Sequence, residues 1–253
     1  IADLKAILAD RKKVLAIIEA EIVEIKTKYG DERKTEILDS GPVDFNVEDL
    51  IAEEDMVITI SHAGYIKRLP LDAYRQQKRG GRGRQATTTK DDDFVEKLFI
   101  ANTHDSILCF SSRGRVYWLK VYDVPQGGRA ARGKPIVNLV PLMEHEKITA
   151  VLPVSAFDDQ HFVFMATANG TVKKTALSAF SRPMAKGIIA VTLEDNDYLI
   201  GVSLTDGKQD AMLFSDAGKA VRFPEDEVRA MGRNATGVIG MKLQKGQRVI
   251  SLL

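Results

Sequence analysis

The spacing of apolar residues divides the chain into a helical beginning and a longer remainder of β type. Apolar residues first recur at intervals of four, four and three, at Val14, Ile18, Ile22 and Ile25. That spacing predicts an amphipathic helix, which Asp10 is placed to cap and Tyr29-Gly30-Asp31 to end. Four earlier apolar residues predict a shorter helix before it: Ile1, Leu4, Ile7 and Leu8. Two such helices cannot bury both stripes alone, so they require a partner helix or another protein chain.

From about residue 57 the pattern changes to short β-type runs, and comparison of the chain with itself finds four repeats. Each repeat has a turn glycine with Ser or Thr three residues before it, at Gly64, Gly114, Gly170 and Gly218. Alternating apolar pairs precede these glycines: Ile58 and Ile60, Leu108 and Phe110, Phe164 and Ala166, Met212 and Phe214. Each repeat is therefore predicted to form a β-hairpin whose turn glycine has a positive φ.

A second group of glycines follows the hairpins. Its members are Gly80, Gly81 and Gly83, then Gly127, Gly128 and Gly133, then Gly187, then Gly232 and Gly237. Further apolar strand residues follow in three of the copies. Four all-β units of about 50 residues predict a mainly β fold, a propeller or related radial array rather than a sandwich. Cys109, on the opposite strand face from Leu108 and Phe110, is predicted to be a packing thiol rather than a reactive one.

Bulk composition, taken alone, argues against a nucleic-acid partner. The 253 residues include 36 Lys and Arg against 35 Asp and Glu, so the formal net charge is +1. The single cysteine excludes a disulfide framework, and no Cys/His cluster has zinc-site spacing. No apolar run reaches the roughly 18–20 residues of a membrane span, and no signal peptide opens the chain. We therefore expect a cytoplasmic protein without membrane contact.

The distribution of charge along the chain changes that picture. Residues 1–50 carry a net −4 and residues 51–253 a net +5. Seven acids and no base lie between Asp39 and Asp55, next to the helix-breaking Ser40-Gly41-Pro42. The predicted organisation is a helical segment over 1–38, an acidic linker over 39–55 and a β domain over 56–253.

Inside the β domain, basic residues cluster after each hairpin turn and acidic residues before the next one. The candidate binding residues of the first two repeats are Lys67, Arg68, Lys78, Arg79, Arg82, Arg84, Arg113, Arg115, Arg129, Arg132 and Lys134. Those of the last two are Lys173, Lys174, Arg182, Lys186, Lys219, Arg222, Arg229 and Arg233. In a radial array they would join into one curved stripe, which suits a polyanion bound through its phosphates. The alternative is four solvated loops of mixed charge.

The strongest single segment is Gln77-Lys78-Arg79-Gly80-Gly81-Arg82-Gly83. Its three glycines let the backbone approach a ligand and expose N–H donors, while its three cations attract anions. It is neither a Walker loop nor a dinucleotide-binding fingerprint. Read as bare composition it is a flexible linker, and its place inside the first repeat argues against that reading.

This segment resembles the signature box of the DNA gyrase A-subunit family, whose usual form is Q-R-R-G-G-[KR]-G. Further stretches resemble the same family: Ala101–Asp105, Phe110–Tyr117, Ala131–Leu139, Met165–Thr175 and Val228–Asn234. Residues 1–38 resemble the end of the family's long helical arm and the segment that leaves it. The likeness therefore covers the whole chain.

The resemblance implies a bacterial type II topoisomerase that uses ATP to supercoil DNA negatively. The family's C-terminal domain is a β-pinwheel, a propeller-like disc of strand-exchanged blades that wraps double-stranded DNA around its rim. Gln77 through Gly83 would hold the wrapped DNA, and the basic residues of later blades would extend its path. The resemblance also implies that the gyrase B subunit is a partner in a heterotetramer and that the location is nucleoid-associated. ATP and magnesium are implied for the holoenzyme, and no cofactor for this segment.

The chain departs from the family in two places, and two other functions stay open. Four repeats are visible instead of six blades, and no tyrosine lies in the family's Arg-Tyr-Thr context, so we expect a piece that cannot cleave DNA unaided. One alternative is the C-terminal domain of the topoisomerase IV A subunit; the unbroken box argues against it. The other is a propeller-type enzyme or interaction scaffold. It would need convergent titratable groups, and the four histidines have no paired carboxylate at a repeated position: His62, His104, His145 and His161.

Overall fold

The computed structural model describes residues 2–31, 35, 47–73 and 93–253. Gln77 through Gly83 and Arg84 lie outside the described residues, as do residues 39–46 of the predicted acidic linker. The chain divides into two compact units, Ile1–Phe45 and Asn46–Leu253.

The first unit contains two helices, α1 (Ala2–Ala9) and α2 (Arg11–Tyr29). Asp10 caps α2 as predicted, because its carboxylate accepts a hydrogen bond of 2.9 Å from the backbone N–H of Lys12. Gly30 ends α2 by donating its N–H to the Lys26 carbonyl, with a φ of −72° rather than a left-handed conformation. The apolar stripe of α2 stays largely exposed. Neither of these helices is both long and apolar enough to cross a membrane.

The second unit is built from short strands in the part of the chain that the structure describes. The strands are β1 (Asp55–Ser61), β2 (Tyr65–Pro70), β3 (Val95–Asn102), β4 (Ser106–Ser111), β5 (Arg115–Lys120), β6 (Lys134–Pro135), β7 (Ile148–Val154), β8 (Phe162–Thr167), β9 (Thr171–Ala176), β10 (Ile188–Ile189), β11 (Leu199–Thr205), β12 (Asp210–Ser215), β13 (Ala220–Pro224), β14 (Val238–Ile239) and β15 (Val249–Leu252). A short 3₁₀ turn follows the second strand of every hairpin.

The strands form four antiparallel sheets, one for each repeat. Their orders are β3-β1-β2-β6, β10-β5-β4-β7, β11-β8-β9-β14 and β13-β12-β15. The four predicted hairpins are confirmed as β1–β2, β4–β5, β8–β9 and β12–β13. Their turn glycines all have the predicted positive φ, between 71° and 86°.

Three of the sheets receive a strand from the next repeat. The strand β6 pairs with β2, β10 with β5 and β14 with β9. A glycine with positive φ comes just before each donated strand, at Gly133, Gly187 and Gly237. A Cβ added to Gly133 would lie under 3.0 Å from the carbonyl oxygen of Ile66 on β2. Gly133, Gly187 and Gly237 therefore mark the points where one repeat crosses closely over the hairpin of the previous repeat.

The core consists of three apolar clusters, each between consecutive sheets. Alternate residues of β4 contribute to different clusters, since Ile107 and Cys109 lie in the first and Leu108 and Phe110 in the second. Because both faces of this strand are covered, its side chains are apolar almost without a break. Cys109 is fully buried, and burial raises the pKa of its thiol to about 12, which confirms the predicted packing role.

Candidate nucleic-acid interface

The points where β6, β10 and β14 enter the preceding sheet are the junctions between repeats. At each junction the second hairpin strand of one repeat touches a loop of the next repeat. These junction loops are residues 124–133, 181–187 and 228–237. They carry six of the fifteen predicted binding residues that the structure describes.

Lys67 holds the first junction loop and is not available to a ligand at the surface. Its side chain is only 1% exposed, and its ammonium donates to the carbonyl oxygens of Arg129 at 2.9 Å and Ala131 at 2.8 Å. A longer contact of 3.4 Å reaches the Gly128 carbonyl. Burial lowers the pKa of Lys67. The expectation that this lysine belongs to the surface stripe is therefore wrong, because carbonyls of the next repeat use its donors.

Lys173 occupies the same position in the third repeat, three residues after the hairpin glycine, and is also 1% exposed. Its ammonium donates to the Ala190 carbonyl at 2.7 Å and to the Arg233 carbonyl of the next repeat. Burial, followed by the charge of Arg233, lowers the pKa of Lys173 to about 8. The prediction of a surface role is wrong for this residue too.

The following strand position also donates across each junction. Arg68 Nε reaches the Val124 carbonyl at 2.7 Å, Trp118 Nε1 reaches Phe180 at 2.9 Å, and Lys174 Nζ reaches Glu225 at 2.7 Å. Lys174 is 6% exposed, so it too lies outside any surface stripe, whereas Arg68 is half-buried. Trp118 replacing a cation in the second repeat was the sequence signal that this position needs a buried donor rather than a surface charge.

The middle junction uses a different cation for the same purpose. Tyr117 stands where the first and third repeats have lysine, and its hydroxyl donates to Glu146 at 2.8 Å. Arg115 makes the hydrogen bonds to the junction loop that lysine makes elsewhere, since its Nη2 donates to the carbonyls of Lys186 at 2.8 Å and Gly187 at 3.1 Å. All three junctions are thus held by a side-chain cation on backbone carbonyls.

The remaining predicted cations fall into two groups. Those on the junction loops, or directly after the first of them, are exposed or half-buried: Arg129, Arg132, Lys134, Arg182, Lys186, Arg229 and Arg233. Three others are exposed but lie on the hairpins: Arg113, Lys219 and Arg222. Arg113 donates to the Glu144 carbonyl at 2.9 Å, and Arg222 forms an ion pair with Asp210. The structure therefore brings the first group to equivalent loops of successive repeats and leaves the second apart.

Two of the acids that precede the last strand of a repeat have a structural task that the sequence did not reveal. Asp93 Oδ1 accepts hydrogen bonds from the N–H groups of Ala63 at 2.9 Å and Phe94 at 3.0 Å. Asp197 Oδ1 does the same for Asn169 and Tyr198, both at 2.9 Å. Burial alone would raise the pKa of Asp93, but these hydrogen bonds, with one from Ser61, hold it below its ordinary value. Asp93 and Asp197 therefore help to fix the hairpin turns of the first and third repeats.

The histidines each have a carboxylate partner, which the sequence pattern did not predict. The pairs are His62 with Glu96 at 3.2 Å, His104 with Glu53 at 3.4 Å, His145 with Glu144 at 3.4 Å, and His161 with Asp158 at 2.7 Å. They occupy different places in their repeats. Among the described residues, no three or more His, Cys, Asp or Glu side chains form a group that could hold a metal ion.

Comparison with known families settles what kind of domain this is. A family model described as the DNA gyrase C-terminal domain, a β-propeller, matches residues 55–102, 105–155, 161–206 and 209–253. The chain belongs to this family. The four matched stretches coincide with the four repeats, and the gyrase relatives below extend the likeness to nearly the whole chain.

Curated relatives in this family are gyrase A subunits. The DNA gyrase A subunit of Haemophilus influenzae is 58% identical over 243 residues, which cover 96% of this chain and 28% of that protein. Its counterpart from Escherichia coli K12 is 56% identical over 226 residues, or 89% of this chain and 26% of that protein. The chain thus spans little more than a quarter of the length of these relatives. Their identity favours gyrase over topoisomerase IV, the alternative kept open above.

Solved structures of the gyrase family and its topoisomerase IV relatives share the fold. The C-terminal domain of DNA topoisomerase IV matches with a TM-score of 0.70 and 29% identity, over 80% of this chain and 61% of that one. The DNA gyrase A C-terminal domain matches with a TM-score of 0.58 and 26% identity, over 79% and 64%. These matches confirm the predicted mainly β fold with strand-exchanged, propeller-like blades.

Proposed function

We propose that this chain is a DNA-wrapping domain of a gyrase A subunit, with double-stranded DNA running along its junction loops. The recurrence of exposed cations on the same loop of successive repeats carries this proposal. Equivalent loops of radially arranged blades lie along one rim, so their charges meet a curved polyanion together. Contacts to phosphates position a duplex without reading its sequence.

The residues that we place against DNA are seven exposed or half-buried cations on or next to the junction loops. Arg129, Arg132 and Lys134 come from the first junction, Arg182 and Lys186 from the second, and Arg229 and Arg233 from the third. Bending a duplex around the rim costs several kcal/mol over tens of base pairs, and phosphate contacts spread along the path offset that cost. Lys67, Lys173 and Lys174 act inside the protein instead.

We place the segment Gln77 through Gly83 on the same path. Gly83 lies 19 residues after its hairpin glycine, as Gly133 and Gly237 do in their repeats. The segment therefore stands in the sequence where the junction loops of the second and fourth repeats stand. Its cations and glycines suit close contact with a phosphate backbone.

In the whole protein, this domain serves a type II topoisomerase that supercoils DNA negatively with ATP and magnesium. That enzyme is a heterotetramer with the gyrase B subunit, located at the nucleoid. A wrap of fixed hand presents a nearby DNA segment for passage in one direction, and this gives the supercoil its sign.

The test is deletion of Gln77–Gly83 from the complete gyrase A protein, which is then combined with the gyrase B protein and assayed for supercoiling of relaxed plasmid. The deletion should abolish supercoiling, because the wrapped DNA loses its contact with the first repeat. A matched variant that removes exposed bases off the junction loops, Lys147→Ala with Lys208→Ala, should keep it. Supercoiling that survives the deletion would refute the role of this segment. A preference for decatenation over supercoiling in the unaltered enzyme would favour topoisomerase IV.

A further inference from the structure

We propose that Lys67 and Lys173 are positioning residues for DNA binding. Each orients the junction loop of the next repeat so that arginines and backbone N–H groups of that loop face the phosphates. The inference rests on the proposed function, because it takes the junction loops to be the DNA contact. It assigns a role in binding to two buried side chains that themselves touch no DNA.

Peptide geometry provides the first step. The Lys67 ammonium draws the carbonyls of Arg129 and Ala131 inward, with Gly128 at the longer distance of 3.4 Å. The described peptide bonds are all trans, so the N–H that follows each carbonyl points the opposite way. These are the N–H groups of Arg129, Ala130 and Arg132. Within the described part of the chain, none of the three has a hydrogen-bond acceptor.

The side chains of the loop add the second step. Arg132 is exposed and Arg129 is half-buried, so both guanidinium groups are within reach of a ligand on the outer side. Outward N–H groups next to guanidinium groups form an anion-binding arrangement. The loop's start is fixed separately, since Arg68 pairs with Pro125 and Gly127 through backbone hydrogen bonds of 3.0 and 3.1 Å. The middle of the loop is closed by the hydrogen bond of 3.0 Å from the Ala131 N–H to the Gly128 carbonyl, and Lys67 ties that turn to β2.

The junction between the third and fourth repeats has the same arrangement, a buried lysine that donates to a carbonyl of the next junction loop. Lys173 binds the Arg233 carbonyl, which turns the N–H of Asn234 away from the ammonium. Arg129 and Arg233 both lie 15 residues after their hairpin glycine. The backbone of Lys174 accepts the N–H of Met231 at 2.8 Å, much as Arg68 accepts that of Gly127. At two junctions, therefore, a buried lysine at the same position of its repeat fixes the backbone at an arginine of the next repeat.

The experiment measures equilibrium binding of a mixed-sequence duplex by the 253-residue chain across a range of salt concentrations. Lys67→Met keeps the length of the side chain and removes the donors. We expect the slope of log K against log salt to become shallower by about 1.8, which is about 0.9 for each of two lost phosphate contacts. Replacing Arg129 and Arg132 with Ala in the Lys67→Met background should then cause no further loss, although the same pair weakens binding in the unsubstituted chain.

Two controls separate positioning from charge and from stability. Lys147→Met removes one exposed positive charge off the junction loops, and Ile107→Val weakens the core between the same two sheets. Both should leave the salt slope unchanged. Circular dichroism reports whether Lys67→Met folds. If it does not, the same cycle is run with Lys173→Met and Arg233→Ala at the other junction.

The two possible failures are distinguishable. If the unsubstituted chain does not bind duplex DNA, the proposed function fails and the inference fails with it. If that chain binds DNA but the arginine substitutions cost as much in the Lys67→Met background as without it, the positioning role alone is overturned. An unchanged salt slope in Lys67→Met would overturn it as well.

Discussion

Replacing Gly133 with alanine tests whether β6 enters the preceding sheet as the structure shows. Gly133 has a φ of 87°, which costs a residue with a Cβ about 1–2 kcal/mol. The added Cβ would lie under 3.0 Å from the Ile66 carbonyl oxygen, so β6 must move away from β2. Losing one or two hydrogen bonds of that pairing costs about 0.5–1.5 kcal/mol each. We therefore expect a loss of about 2–4 kcal/mol in the free energy of unfolding.

Gly128 provides the control for this substitution within the same loop. Its φ is not in the left-handed region, and a Cβ added there would meet no atom within 4 Å. Gly128→Ala should therefore change stability by less than about 0.5 kcal/mol. Urea denaturation followed by circular dichroism gives the free energy of unfolding of both variants. In thermal denaturation the Gly133→Ala midpoint temperature should fall by roughly 5–15 °C. If Gly133→Ala proves as stable as Gly128→Ala, the close crossing of the two repeats is wrong.

Three further predictions concern side-chain chemistry. Folding lowers the pKa of Lys173 from 10.5 to about 8, so between these pH values the unfolded chain holds the proton of Lys173 more tightly than the folded chain does. The free energy of unfolding, relative to that of Lys173→Met, should therefore rise by about 2 kcal/mol between about pH 7 and 9.5. Urea denaturation at a series of pH values measures this difference. Asp93→Ala should lower the thermal midpoint near neutral pH, with the gap closing as acid protonates Asp93 through its lowered pKa. Cys109 should resist maleimide until the chain unfolds, and rapid labelling of native protein would contradict its burial.

Local features of the fold could be predicted from the sequence because their causes are local. The hairpin turns require glycines at fixed places, and Asp10 caps a helix through a hydrogen bond to Lys12, two residues away. The strand exchange was expected from the family resemblance and not from the residue pattern, because β2 and β6 pair residues such as Ile66 and Lys134 that are far apart in the chain. Only the recurring glycine before each donated strand hinted at it.

The binding residues were predicted less well, for a related reason. A basic residue on a strand looks like surface charge until the carbonyls that bind it are known. The carbonyls of Arg129 and Arg233, which accept from Lys67 and Lys173, lie about 60 residues further along the chain. Tyr117 and Trp118, at the matching positions of the second repeat, were the available sign that these positions are covered. The partners of His62 and His104 are distant in sequence for the same reason.

We propose that the domain wraps DNA rather than merely binding it. The most direct measurement is ligation of nicked circular plasmid with increasing amounts of the chain, followed by counting of topoisomers after the protein is removed. We expect a linking-number shift of a single sign that grows with bound protein and shrinks when Arg129 and Arg132 are both replaced with Ala. Saturating binding with no linking-number shift would contradict it.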